Sequence, residues 1–445
     1  MSKVDTTCCV VGGGPAGMML GYLLARAGVD VTVLEKHADF FRDFRGDTVH
    51  PSTLELLYEL SILDDFLKIP HQQISSAGGH FGDFQFRAAD FSSVPAHCKF
   101  AVLMPQWDFL DFLKDKAKPY SGFHLRMQSE AVDLLREGPR VRGVVVKTPK
   151  GQEKITADLT VGCDGRHSSI RDAANFEVIE SGVPIDVLWF RISRKGDEGE
   201  NLLGNVNYGG ALVMIPRDEY FQSALVVRKG SFEQIRKDGL EAFRARVRQI
   251  APSLGDRVEE LRDWEQIKLL SVQINRLRQW HRPGLLCIGD AAHAMSPVGG
   301  VGINLAIQDA VATANALAEP LRERRVTENM LAGIQRRREI PARITQLIQA
   351  GAHKGLQTVF RNPGPAVAPW QLKFFVNIPG IQKVMGRVIG VGILPEHIRE
   401  PQAPEKKCPA RMIKRVGVAL AIAAAAVGVG SVLVKSWRKR QHAWS

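Results

Sequence analysis

Three glycines, Gly12, Gly14 and Gly17, stand at the spacing G-x-G-x-x-G, and Glu35 follows 23 residues after the first. Glycines so spaced let a pyrophosphate approach bare backbone, and a carboxylate that far on can bind ribose hydroxyls. The chemistry indicated is dinucleotide binding. Gly12 allows a tight turn, Gly14 leaves room for phosphate, and Gly17 with Gly21 lets a helix lie close on a sheet. Pro15 and Ala16 open that helix, whose free N–H groups and positive dipole end face the phosphates. Lys36 follows Glu35 in the same site. Arg42 and Arg45 stand in the next loop. They suit a pyrophosphate or a second nucleotide, and equally suit solvent.

These residues need a strand–turn–helix–strand frame, and the pattern supplies one. The run Thr7 to Val11 is apolar and β-branched, a helical pattern follows the glycines, and Val31 to Leu34 reads as a second strand. Ser52 is expected to cap a helix over 53–60. Short alternating runs in 70–104 and 183–230 predict antiparallel strands. A β-meander is expected at 141–146 and 155–161. An apolar strand then runs into Asp164-Gly165-Arg166, and another, 284–288, into Gly289-Asp290. Helices are predicted at 106–113, 240–250, 305 to about 317 and 328–360. The expected fold is α/β: a discontinuous Rossmann-like nucleotide-binding domain (1–70, 100–180 and 280–325) with an inserted antiparallel-sheet substrate domain (71–99 and 181–279). Residues 326–400 form a C-terminal helical region.

The net charge of +12 over 445 residues suggests nucleic acid, but residues 401–445 hold nine Lys/Arg and one acid. The body is near neutral, so nucleic acid is not an expected partner. The six cysteines form no C-x-x-C and read as reduced, buried thiols, with no metal site expected. No secretory signal peptide is expected, because the first strand begins almost at once. Residues 401–415 read as a linker. Residues 416–434 form a 19-residue run without charge between basic flanks. At about 1.5 Å per residue it is long enough to span a bilayer, so a transmembrane anchor is expected, with a cytoplasmic catalytic domain. Residues 372–394 are expected to rest on the same membrane, which makes a lipophilic substrate a further expectation.

The glycine fingerprint, the Asp164-Gly165 turn and the stretch Gly289-Asp290-Ala291-Ala292-His293 through Pro297, Gly299-Gly300 and Gly302-Ile303-Asn304, taken in order, resemble the class A FAD-dependent aromatic hydroxylases of the para-hydroxybenzoate hydroxylase type. The resemblance spans roughly residues 5–400. It implies that Asp290 binds the flavin ribityl hydroxyls and that Pro297 sits by the reactive edge of the ring. Gly302, Ile303 and Asn304 would offer backbone groups to its pyrimidine edge. Arg45 and Gln106 would contact FAD, and Asp164 and Arg166 would contact FAD and NAD(P)H. His293 is expected to be structural.

The implied reaction uses NAD(P)H and O2 to hydroxylate an aromatic or other electron-rich small molecule through a flavin C4a-hydroperoxide, with FAD resident and NAD(P)H visiting. His50, Tyr208 and Tyr220 are candidates for a base. A halogenase of this fold would carry W-x-W-x-I-P, which is absent here. Two alternatives stay open: an FAD-dependent reductase acting on a membrane isoprenoid or quinone, and a non-catalytic, membrane-tethered flavin-binding protein.

Overall fold

A computed structural model describes residues 3–41, 48–195, 202–362 and 364–399. The expected linker at 401–415 and apolar run at 416–434 lie outside the described residues, as do Arg42 and Arg45. Among the described residues no helix is long and apolar enough to cross a membrane.

The strands Lys3–Val11 and Val31–Leu34 flank the helix Pro15–Arg26. They belong to an eight-stranded sheet whose path runs His281–Arg282, Leu285–Cys287, Gly151–Gly162, Lys3–Val11, Val31–Leu34, Phe123–Arg126. From Leu285–Cys287 to Phe123–Arg126 every neighbour is parallel. The register aligns the carboxyl ends, because Val11 pairs Gly162 and Gly162 pairs Cys287. Glu130–Glu137 and Arg140–Thr148 extend this sheet antiparallel from Gly151–Gly162, so the meander expected at 141–146 and 155–161 has a third strand at 130–137. Helices Pro15–Arg26, Gln106–Ala117 and Gly302–Arg322 pack together on this unit, and Pro15–Arg26 is buried along most of its length.

A second, seven-stranded sheet runs Lys268–Leu270, Ile185–Ser193, Tyr220–Arg228, Gly210–Pro216, Leu202–Asn207, Ser76–Phe81, Phe84–Asp90. One face packs on the helix Leu240–Ile250 through Phe190 and Phe243. The other buries Phe91, Trp189 and Phe360, with Met385 and Ile389 against them. The hairpins are antiparallel as expected, but Leu202–Asn207 joins Ser76–Phe81 in parallel. The two segments are over a hundred residues apart, and such a long crossover permits parallel pairing.

The helix expected to start after Ser52 begins one residue before it, at Pro51, with His50 at the N-cap. Proline's fixed φ and missing N–H suit the first turn, so Pro51 displaces Ser52 from the capping position. The helix after Gly302 is longer than its apolar period indicated, Gly302–Arg322, with Pro320 in its last turn. Cys8, Cys9, Cys98, Cys163 and Cys287 are free and buried.

Candidate functional site

The three motifs follow the aligned carboxyl ends of adjacent parallel strands: Gly12 after Val11, Asp164 after Gly162, Gly289-Asp290 after Cys287. Open α/β sheets bind their ligands there. Gly12 holds φ +107, and a Cβ on it would stand 2.5 Å from the Cys163 carbonyl oxygen, so the fingerprint turn nests on the Asp164 turn. A Cβ on Gly17 would collide with the Gly12 carbonyl, and one on Gly21 with Val33 and Phe123. Gly14 differs, because a Cβ there would meet nothing within 4 Å. It faces open space at the N-terminus of Pro15–Arg26, where no side chain caps the helix. Uncapped N–H groups beside an open glycine suit a diphosphate.

Glu35 closes the second strand and accepts the Gly13 N–H at 3.1 Å and the His37 N–H at 3.0 Å. Lys36 beside it is exposed. The Asp164 carboxylate is turned onto the short helix Ser169–Ala173, accepting from Ser168 Oγ, Ser169 Oγ and Ile170 N–H. Burial pushes its carboxyl up, against those hydrogen bonds. Arg166 reaches the third motif, its Nη2 lying 3.4 Å from Asp290 Oδ2, while its buried Nη1 has no partner. Gln106 opens the helix Gln106–Ala117, directly after the strand Ala101–Leu103 that pairs with Thr48–Val49.

Downstream of Asp290, Pro297 leads into Gly299 (φ +83) and Gly300 (φ +62), and the helix Gly302–Arg322 starts without a side-chain cap. The free N–H groups of its first turn, at Gly302, Ile303 and Asn304, present a second positive helix end. The Asn304 side chain is fully engaged: Oδ1 accepts His50 N–H and Thr53 Oγ at 2.8 Å each, and Nδ2 donates to the Thr48 and Gly300 carbonyls. It ties the 48–53 segment to this turn.

His50 is buried against that turn. Neither ring nitrogen has a partner in hydrogen-bond geometry, and burial pulls its pKa down to about 4 although backbone at Ile389, Gly300 and Gly299 lies close. The imidazole is therefore neutral, with Phe91 edge-on at 6.3 Å. Tyr208, at φ +44, is in the turn before Gly210–Pro216, and Tyr220 opens the strand after it. They occupy opposite ends of that strand, roughly 20 Å apart at strand rise, so one site cannot take both.

His293 is buried, and its Nδ1 has no hydrogen-bond partner. Its Nε2 pairs with Asp309 Oδ2 at 2.5 Å. Asp309 also accepts Gly289 N–H at 3.0 Å and Arg338 Nε at 2.8 Å. Burial pushes the Asp309 carboxyl up, but His293 and Arg338 outweigh it and hold it below the ordinary range. A second buried cluster flanks Pro297. Ser296 Oγ meets His353 Nε2 at 2.9 Å, and the Gln349 amide bonds the Ser296 N–H and the Ser296 and Val298 carbonyls. Sequence reading did not find Thr48, Thr53, Ser296, Gln349, His353 or Arg338. The available signal was the spacing of Gln346, Gln349 and His353 along one helical face.

The residues fit a flavin dinucleotide: an open glycine at one helix N-terminus, a second uncapped helix whose first turn meets the first helix at Gly289, and a buried, unpartnered nitrogen on Arg166 beside Asp290. Residues 5–347 match the family model described as "FAD binding domain". The chain is 29% identical over 396 residues to 6-methylpretetramide 4-monooxygenase of Streptomyces rimosus, covering 86% of this chain and 92% of that protein. It is 28% identical to rifampicin monooxygenase of Streptomyces venezuelae, covering 68% of this chain and only 61% of the relative. Of solved structures, PqsL of Pseudomonas aeruginosa in complex with 2-aminobenzoylacetate superposes with a TM-score of 0.70 at 21% identity, covering 80% of this chain and 98% of that one. The anhydrotetracycline hydroxylase OxyS of Streptomyces rimosus gives 0.67 at 21% identity, covering 90% and 78%. With the fingerprint, the Asp164 turn and the Asp290 turn all following the carboxyl ends of adjacent parallel strands, the chain belongs to the FAD-binding-domain family and is an FAD-dependent monooxygenase.

Proposed function

We propose that the chain hydroxylates an aromatic or otherwise electron-rich small molecule, with NAD(P)H and O2 as co-substrates. FAD, when bound, supplies the redox chemistry that activates oxygen. The protein's part is binding, orientation, dryness and proton handling. In this reading Gly12, Gly14, Pro15, Ala16, Gly17, Glu35 and Lys36 hold the adenosine diphosphate half. Asp290 and Arg166 take the ribityl chain, Asp164 shapes its turn, and Gln106 and Arg45 complete the cradle. The uncapped N-terminus at Gly302, Ile303 and Asn304 stabilises negative charge on the pyrimidine edge. Pro297 bounds the reactive edge.

The observation that carries the reading is His50: a buried, neutral imidazole with both nitrogens unpartnered, against the Gly299-Gly300 turn. Its unprotonated nitrogen can accept a hydrogen bond from a substrate O–H and so orient the ring, with Phe91 packed edge-on against it. Tyr208 and Tyr220 are the lesser candidates. The aromatic class is further favoured by the relatives named for 6-methylpretetramide and rifampicin. The test is substrate-stimulated NAD(P)H oxidation with oxygen uptake, and mass spectrometry for a product heavier by one oxygen atom. His50→Gln should lower kcat at least tenfold while leaving bound FAD intact. NAD(P)H oxidation with product reduction and no oxygen uptake would favour the reductase of a membrane isoprenoid or quinone instead.

Residues 416–434 are proposed as a membrane anchor joined by the 401–415 linker, with the catalytic domain on the cytoplasmic side. The support is their uncharged length and basic flanks. The two sheets and their connections support the discontinuous nucleotide and substrate units read from the sequence.

A further inference from the structure

The helices Trp370–Val376 and Ile381–Gly390 have two unlike faces. The inner face of Ile381–Gly390 lies on the active-site wall. A Cβ on Gly386 would strike the Asp90 backbone, one on Gly390 would press on Phe91 and Pro51, and the Ile389 backbone faces His50. The outer face is open. Val367 is 79% exposed, Trp370 64% and Phe374 67%, with Ile378 and Val384 beside them. Phe375 and Ile381, which the sequence had grouped with this surface, are half-buried. The exposed cations Lys373, Lys383 and Arg387 stand among these apolar residues, Lys373 over the Phe84 ring and Lys383 near the Asp90 carboxylate. From Ile340 to Pro395 the chain holds six Lys/Arg and no Asp or Glu.

We propose that this outer face docks on an anionic lipid surface, with Trp370 and Phe374 at headgroup depth and Lys373, Lys383 and Arg387 on the lipid phosphates. A basic amphipathic helix with exposed aromatics has the composition of an interfacial segment. The charge of the face chooses its occupant. The apolar run 416–434 is itself flanked by Lys414, Arg415, Lys435 and Arg438, so folding back onto this face would set cation against cation. A second copy would bring the same cations. Anionic lipid is complementary to both faces at once, and the membrane run then continues the same surface.

One helix would thus separate the leaflet from His50, and a lipophilic substrate could enter from the lipid beside Phe91. That consequence rests on the monooxygenase reading, whereas the docking itself does not. A nitroxide on Phe374→Cys in the full chain, with Cys408→Ser, reports depth on vesicles of phosphatidylglycerol and phosphatidylcholine. A nitroxide on Val132→Cys, on the far sheet, is the control. Docking predicts that the 374 label is more accessible to oxygen than to a water-soluble nickel complex, while the 132 label shows the reverse. Lys373→Glu with Lys383→Glu should lower the vesicle affinity at least about tenfold and return the 374 label to water. A water-exposed 374 label on vesicle-bound protein overturns the proposal, as does equal depth at both positions. So does a 374 label already shielded without vesicles, whether by the tail or, if concentration-dependent, by a second copy. Because depth is read without turnover, a failure here is distinguishable from a failure of the hydroxylase reading.

Discussion

A methyl group added to Gly12 would meet the Cys163 carbonyl at 2.5 Å on a left-handed backbone, whereas one added to Gly14 would meet no protein atom within 4 Å. The two glycines are therefore separable by experiment. Gly14→Ala should change apoprotein stability by less than about 1 kcal/mol and weaken FAD at least about tenfold. Gly12→Ala should disrupt the apoprotein itself. Denaturant unfolding of the flavin-free protein and a flavin titration check both. His50 and His353 give a pH signature, since burial pulls each pKa from 6.5 to about 4. Between those values the unfolded chain binds protons that the folded one refuses. Stability is complete above pH 6.5 and falls as pH drops toward 4, by about 1.4 kcal/mol per unit for each group in the steepest part. His353→Gln should flatten this slope in urea melts taken at pH 4 to 7. The glycine spacing and Glu35 were legible because the pattern itself lies within 24 consecutive residues. The Thr53–Asn304 bond was not, because it joins residues 251 apart, and nothing local marks either as more than an ordinary polar residue.

The helix Glu328–Phe360 was legible as a helix, but not in the residues it sends into the core. A glutamine that bonds a buried carbonyl looks in sequence like a solvated one, and only packing tells them apart. Gln346, Gln349 and His353 brace the backbone on both sides of Pro297, and Arg338 enters the core to meet Asp309. Arg338→Met removes a cation and leaves Asp309 buried with His293 and the Gly289 N–H as partners, so the loss should be about 3–5 kcal/mol. Adding Asp309→Asn should restore part of it, which urea midpoints of the single and double variants will read. Gln349→Ala strips three backbone groups at 296–298 of partners. It should cost about 1–3 kcal/mol and lower kcat more than it raises KM, because Pro297 sits between the braced residues.

At the scale of the molecule, most of the parallel sheet was readable because its strands at 3–11, 31–34, 151–162 and 285–287 end in a motif, whereas Phe123–Arg126, short and half polar, was not. The second sheet was readable strand by strand, but not in its order. The parallel junction of 202–206 with 77–81 depends on where two distant insertions emerge, which no local period encodes. The same topology determines how a ligand stabilises the whole. The proposed cradle draws on 12–17, 35–36, 164–166 and 289–304, segments held by neighbouring strands of one sheet around one core. A ligand touching all of them binds only when the whole unit is folded, so its binding energy adds to global stability. FAD at a hundredfold excess over its Kd should add about 2.7 kcal/mol to unfolding. Arg166 and Asp290 are partly exposed, and their 3.4 Å pairing contributes at most about 1 kcal/mol to the flavin-free protein. Asp290→Asn should therefore leave the apoprotein midpoint almost unchanged and cut the stabilisation gained at a fixed FAD concentration. An equal gain in the wild type and the variant would remove Asp290 from the cradle. A large apoprotein loss would make it a structural residue of the 289–291 turn.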